Sequence, residues 1–214
     1  AIKEIYQYPL FKKRNQHLIN TAKEFLKTKL NLNVESNPQI KIDPKLVEMC
    51  RKKFEMNKKK IYILLGVGGS GPTKRIPAKT FIKFMKIVSK KYDCKFLLAT
   101  GKSEDEQSIL NEIKNTELNS KCVSLDNLSI YEILPIIKNC DISICNDSSF
   151  SHLSAALEIK TIVLMADTPL IYGNYSPKMF PIIPDGEKTV THDTLGKEKI
   201  NPNKIFEKFN DILN

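Results

Sequence analysis

From residue 61 onward the chain alternates short apolar runs with segments whose apolar residues recur at helical spacing. Ile61–Leu65, Lys95–Thr100, Cys122–Ser124, Cys140–Cys145 and Thr161–Met165 read as strands. Phe81, Phe84, Met85 and Val88 mark a helix over Pro77–Lys91. Ser103-Glu104-Asp105-Glu106 and Ser129-Ile130-Tyr131-Glu132 are capping boxes, each opening a further helix, the second running to about Asn139. A small-residue helix follows over Phe150–Leu157, and Asn201-Pro202-Asn203 opens a last one carrying Ile205, Phe206, Phe209 and Ile212. This order predicts an α/β fold with a mostly parallel sheet, helices covering both faces.

Residues 1–60 show a different pattern. Leu18, Ala22, Phe25, Leu26 and Leu30 recur at helical spacing, with lysines on the other face. Asp43-Pro44 caps a second helix that turns Leu46, Val47, Cys50 and Phe54 inward. No complete βαβ unit is visible there. The chain therefore divides into a basic helical segment, 1–60, and an α/β domain, 61–214.

Charge follows the same division. Of the net +10, residues 1–60 contribute 15 Lys+Arg against 6 Asp+Glu, and the remainder 19 against 18. A basic flank beside a neutral domain offers contact with phosphates, an anionic membrane surface or nucleic acid, or is an ordinary lysine-rich solvated surface. No aromatic interleaving or recognisable nucleic-acid motif accompanies it. No apolar run approaches the roughly 20 residues of a membrane span. The polar start shows no signal peptide, and the lack of an initiator Met suggests a processed or truncated chain. Five cysteines without a CxxC pair read as reduced thiols of a cytoplasmic protein, mostly buried. His17, His152 and His192 lack zinc-like spacing, so no metal site is expected.

Two loops carry the chemistry. Asn146-Asp147-Ser148-Ser149-Phe150-Ser151-His152 lies where a buried strand gives way to a helix. Free backbone N–H groups and the helix dipole favour an anion at such a junction. A carboxylate, two hydroxyls and an imidazole there suit a phosphorylated, polyhydroxylated ligand; a capped helix with a structural His is the bland alternative. The first predicted strand runs into Gly66-Val67-Gly68-Gly69-Ser70-Gly71-Pro72-Thr73-Lys74-Arg75. Gly66, Gly68 and Gly71 fit GxGxxG, but Pro72 interrupts the helix start, and the next strand ends in Thr100-Gly101 without an acidic residue at its tip. A P-loop fails too, because Pro72-Thr73 stands where Lys-Ser/Thr belongs. What remains is a loop whose glycines allow close backbone approach and whose cations, Lys74 and Arg75, can offset a diphosphate. A plain surface turn is the other reading.

Together, Gly66-x-Gly68-Gly69-Ser70…Lys74-Arg75-Ile76-Pro77 and Asn146-Asp147-Ser148-Ser149-Phe150-Ser151-His152-Leu153-Ser154-Ala155-Ala156 resemble the donor domain of glycosyltransferase family nine, the ADP-heptose:lipopolysaccharide heptosyltransferases. Ser124-Leu125…Ser129-Ile130-Tyr131-Glu132 is similar to the family's Ser-Leu-x-Glu helix start, and Thr161–Pro169 to its Pro-Thr-Val-Ala-Leu-Phe-Gly-x-Thr segment. The match runs over about residues 61–180. Ile76, Ser149 and Ala166 depart from the family's frequent Trp, Gly and Gly. Ser149 in particular is expected to narrow the loop or to take a positive φ.

The resemblance implies the C-terminal, donor-binding half of a GT-B glycosyltransferase, Rossmann-like and doubly wound, with residues 1–60 a linker or remnant of the N-terminal domain. It implies inverting transfer of a sugar, heptose in the family, from an ADP-sugar to a lipopolysaccharide core acceptor. Lys74 would meet the donor diphosphate, with Thr73 beside it. Asp147 would bind sugar hydroxyls. Ser148 and Ser149 would hold phosphate, His152 would help order the loop or approach the diphosphate, and Thr168 would belong to the nearby rim. The general base would lie outside this chain, and no cofactor is implied beyond the ADP-sugar substrate. A lipid-linked saccharide acceptor places the protein in the cytoplasm, in peripheral contact with the inner membrane face. A non-catalytic nucleotide-sugar-binding module and a basic nucleic-acid-binding protein are the alternatives.

Overall fold

The structure is a computed structural model that describes residues 4–7, 16–69 and 71–213. It contains two compact units, Ala1–Pro38 and Gln39–Asn214. In the first, α1 (Leu18–Leu30) is opened by His17, whose Nδ1 accepts from the Ile19 N–H, and closed by Asn31 in the left-handed region at φ 54°. Lys23 Nζ donates to the Glu35 carbonyl at 2.9 Å, tying the loop that follows back to the helix.

The second unit holds α2 (Pro44–Lys53), β1 (Ile61–Gly66), α3 (Ala78–Lys91), β2 (Cys94–Ala99), α4 (Glu104–Lys114), β3 (Cys122–Ser124), α5 (Ile130–Lys138), β4 (Ile142–Asn146), α6 (Ser149–Ala156), β5 (Thr161–Leu164), β6 (Met179–Ile182) and α7 (Pro202–Leu213). The six strands form one sheet in the order β3-β2-β1-β4-β5-β6, every pair parallel. The expected doubly wound α/β architecture is what forms.

Strand side chains alternate between two buried layers, which is why the strands read as unbroken apolar runs. Ile63 and Leu65 face α3, α4 and α7 through Phe81, Phe84, Leu110, Ile113, Ile205 and Phe209. Tyr62 and Leu64 face the opposite layer, with Cys50 of α2, Ile133 and Ile136 of α5 and Phe150 of α6. The first layer is locked by edge-to-face contacts of Phe84 and Tyr92 with Phe209, at centroid distances of 5.9 and 5.7 Å. Both predicted capping boxes form, Ser103 with Glu106 and Ser129 with Glu132.

Two features differ from the sequence reading. The larger unit begins at Gln39, so α2 does not stay with the residues that precede it. Its Cys50 enters the second core layer, and Asn139 at the end of α5 donates to the Val47 carbonyl at 2.8 Å. The sheet also gains β6, which pairs only with β5 at the edge. Pro181 sits inside it, and Pro at an edge forfeits no ladder hydrogen bond, so a segment that reads poorly as a strand still adds one.

All five cysteines are free, and only Cys122 is not fully buried. Burial pushes the Cys145 thiol up to about 12 and that of Cys122 to about 11, so both are inert as nucleophiles at neutral pH. Replacement of Phe84 by Ala is expected to cost about 3–5 kcal/mol in urea unfolding through lost burial and a residual cavity. Tyr131, 73% exposed, should change stability by less than about 0.5 kcal/mol when replaced by Ala.

Candidate binding site at the strand-order reversal

Strand order reverses between β1 and β4. The connection leaving β1 passes over one face of the sheet, and that leaving β4 over the other, so a crevice opens beyond their carboxyl ends. The two polar loops of the sequence are the ones that flank it: residues 67–69 and 71–77 after β1, and Asp147-Ser148 after β4.

Close packing holds these loops together. Asn146, the buried last residue of β4, donates from Nδ2 to the carbonyls of Val67 and Gly68 at 2.8 and 3.2 Å. A Cβ on Gly66 would come within 2.7 Å of Cys145 Sγ, so the strand pair leaves no room for a side chain there.

Glu106 corrects one expectation. No acidic residue was foreseen at the tip of β2, yet the Glu106 carboxylate folds back there from the first turn of α4. It accepts from the Gly69 N–H at 2.8 Å, and a Cβ on either Gly68 or Gly101 would strike it. Partial burial pushes this carboxyl up, but hydrogen bonds from Ser103 and from the backbone of Gly69, Ser103 and Gly101 outweigh that and hold it below its ordinary value.

The charged centre is Lys74 with Asp147. Lys74 Nζ lies 3.0 Å from Asp147 Oδ2, the lysine side chain 29% exposed and the aspartate 5%. Arg75, read with Lys74 as a second diphosphate contact, turns away to pair with Asp105 of α4 at 2.9 Å. Lys74 is thus the cation that the glycine loop presents to Asp147. Asp147 Oδ1 faces His152 Nε2 of α6 at 3.9 Å, and His152 Nδ1 meets the Tyr175 hydroxyl at 2.8 Å. Burial is the main force holding the His152 pKa below its ordinary value; Lys74 adds to it and Asp147 opposes it.

Ser148 is the N-cap of α6, with extended backbone at φ −150°. Ser149 is the first residue of that helix and is not among the non-glycine residues with positive φ. The expected backbone strain at Ser149 therefore does not arise, because a helical N1 position suits any L-residue. Thr73 precedes Lys74 in the same loop and makes no side-chain hydrogen bond among the described residues. Thr168 is buried in the loop that follows β5.

Of the seven buried side-chain oxygens without a hydrogen-bond partner among the described residues, four lie at this edge of the sheet: Thr100 Oγ1, Asn146 Oδ1, Ser148 Oγ and Thr168 Oγ1. They follow or end β2, β4 and β5. A buried polar group left unpaired costs roughly 1–3 kcal/mol, so such a cluster marks a surface suited to a polar ligand. The sequence reading quoted Asn146 in the motif without giving it a role, and did not name Thr100, Glu106 or Tyr175 as parts of the site. Of these three, Glu106 alone carried a signal, as the capping-box residue five positions beyond Gly101.

Because the folded Glu106 carboxyl titrates below its unfolded value, its contribution is present above the unfolded pKa and is lost as pH falls through the folded one. Glu106→Gln should lower stability by about 1 kcal/mol at neutral pH, allowing for solvent screening. In urea unfolding, the gap from the unsubstituted chain should close as pH drops below the carboxylate range.

The family model described as Glycosyltransferase family 9 (heptosyltransferase) matches residues 5–206. Lipopolysaccharide heptosyltransferase 1 of Campylobacter coli is 27% identical over 179 residues, covering 80% of this chain and 50% of that protein. Lipooligosaccharide heptosyltransferase 2 of Campylobacter jejuni is 30% identical over 170 residues, covering 73% of this chain and 52% of that protein. Among solved structures, Escherichia coli ADP-heptose lps heptosyltransferase II superposes with a TM-score of 0.69 at 22% identity, covering 86% of this chain and 56% of that one. Escherichia coli heptosyltransferase WaaC with ADP gives a TM-score of 0.68 at 14% identity, over 96% of this chain and 59% of that one. The chain spans about half the length of the curated relatives it matches. By the extent of the family match and the agreement of its fold, the chain belongs to glycosyltransferase family 9.

Proposed function

We propose that this chain supplies the donor-sugar site of an inverting glycosyltransferase that moves heptose from an ADP-sugar to a lipopolysaccharide core acceptor. The observation that carries this reading is the Lys74–Asp147 pair at the strand-order reversal, set beside the unpartnered Ser148 hydroxyl at the start of α6. Family membership and the heptosyltransferase names of the relatives favour it over a nucleic-acid-binding protein or a non-catalytic module.

In this mechanism an acceptor hydroxyl attacks the anomeric carbon from the face opposite the diphosphate. The glycosidic C–O bond breaks as the new one forms, and ADP departs carrying the bonding pair. Its developing negative charge falls beside the Lys74 ammonium and the amino end of α6, where pre-oriented donors stabilise it most. As Lys74 turns to the diphosphate, Asp147 is released to accept hydrogen bonds from sugar hydroxyls. Ser148 and Ser149 hold phosphate oxygens, and Thr73 flanks the same loop. Thr168 and Thr100 offer hydroxyls toward the nucleoside side, and Glu106 at the tip of β2 stands where a ribose hydroxyl is bound in dinucleotide folds. The base that takes the acceptor proton is assigned to no residue of this chain.

The reading needs no cofactor: the cation at the diphosphate is Lys74 itself. A divalent ion found on Asp147 in the presence of donor would overturn that point. No helix among the described residues is long and apolar enough to cross a membrane. We place the protein in the cytoplasm, its basic residues resting against anionic lipid at the inner membrane face, where a lipid-linked acceptor is presented.

Calorimetric titration with ADP, UDP, GDP and NAD tests the donor site. Selective ADP binding is expected, and Lys74→Ala should weaken it by about 10- to 100-fold, the worth of one charge-assisted hydrogen bond. Equal affinity for all four nucleotides, or no effect of the substitution, would count against the assignment. Asp147→Asn, which removes the competitor for Lys74, should strengthen ADP binding and lose the added affinity for an ADP-sugar.

A further inference from the structure

Tyr175 lies in the loop between β5 and β6, and neither the sequence motifs nor the proposed mechanism gives it a task. Its ring stacks on His152 with centroids 5.6 Å apart and planes 16° from parallel, and its hydroxyl reaches His152 Nδ1 at 2.8 Å. The same ring packs against the cluster of Ala155, Val163, Met165 and Met179, which anchors it to β5 and β6.

A neutral imidazole carries one N–H and one bare nitrogen, and its neighbours decide which is which. Asp147 Oδ2 is engaged by Lys74, leaving Oδ1 to face His152 Nε2. A carboxylate beside Nε2 favours the proton on that nitrogen. Nδ1 is then the acceptor, and the Tyr175 O–H is the donor placed to fill it. Burial, with Asp147 adding to it, raises the Tyr175 pKa, so the hydroxyl keeps its proton. At 3.9 Å the Nε2–H is too far from Oδ1 for a hydrogen bond, which leaves it a directed donor for a ligand oxygen within its own reach.

We propose that Tyr175 is a positioning residue: it fixes His152 as the Nε2–H tautomer and aims that donor beside Asp147, at a phosphate or hydroxyl oxygen of the bound ligand. The ligand's identity rests on the nucleotide-sugar reading, whereas the tautomer does not.

The full chain, labelled with nitrogen-15 in its three histidines, gives the tautomer by long-range nitrogen–proton correlation at a pH above the ordinary His range. His152→Gln identifies the resonance. The expected result is a single Nε2–H form whose Nδ1 signal shows an accepted hydrogen bond. Tyr175→Phe, which keeps the stacked ring, should abolish that Nδ1 displacement and make the second tautomer measurable, with distant amide signals unmoved. It should also weaken ADP binding by about five-fold, the typical net worth of one hydrogen bond. A wild-type Nδ1–H tautomer, or imidazole signals unchanged in Tyr175→Phe, would overturn the proposal. So would a released imidazole with unaltered ADP affinity. If ADP fails to bind the unsubstituted chain, the imidazole signals alone decide the role of Tyr175.

Discussion

The site depends on the reversal of winding direction between β1 and β4. From β1 the chain steps outward through α3 to β2 and through α4 to β3, with both helices on one face. It then returns through α5 on the opposite face to lay β4 against the free side of β1. Right-handed crossovers leave this course little choice once the helices have their faces. The loops that leave β1 and β4 must therefore part, and the crevice between them is where polar groups can be exposed without breaking either core layer.

Parting loops have to be held at a fixed separation, and the structure does this with small residues and buried hydrogen bonds. Gly66 lets β1 lie tightly against Cys145, and Asn146 clamps the next two carbonyls of the glycine loop. On the other side Glu106 caps its own helix and holds the Gly69 N–H with the same carboxylate. The loop is thus fastened from β4 and from α4, while Lys74 at its far end keeps a partly exposed ammonium. Precision at the backbone and freedom at the side chain suit the anion-binding role proposed for this loop.

The resting electrostatics fit that arrangement. An isolated carboxylate as buried as Asp147 would carry a desolvation penalty of several kcal/mol, and Lys74 offsets it. Under the proposed function, an arriving diphosphate would compete for Lys74, and the hydroxyls of an attached sugar would replace the lysine at Asp147. A ligand with only one of these two chemistries would leave a charge unpaired. The pair therefore favours a ligand that carries both, and this links a charge–charge contact seen in the resting chain to the proposed sugar-nucleotide donor. Arg75, by contrast, is spent on Asp105 and serves to fix the loop against α4.

The alternation of apolar runs and helical spacing determined the α/β class, the first five strands and both capping boxes, because burial and local hydrogen bonding are written in periods of a few residues. Asp147, Ser148 and Lys74 were legible as a polar set because they interrupt those periods at strand ends. β6 was not, since Pro181 is compatible with a strand only at a sheet edge, and edge position is a property of the assembled sheet. Nor were the partner of Arg75, the return of Glu106 to the tip of β2, the helical backbone of Ser149, or the contact of Tyr175 with His152. Each of these joins residues through the packed sheet or depends on where a helix begins in space. The sequence by itself determined which residue types stand at the ends of strands; the tertiary structure alone decided which of them meet, because strand order, not chain order, sets the neighbours in the crevice.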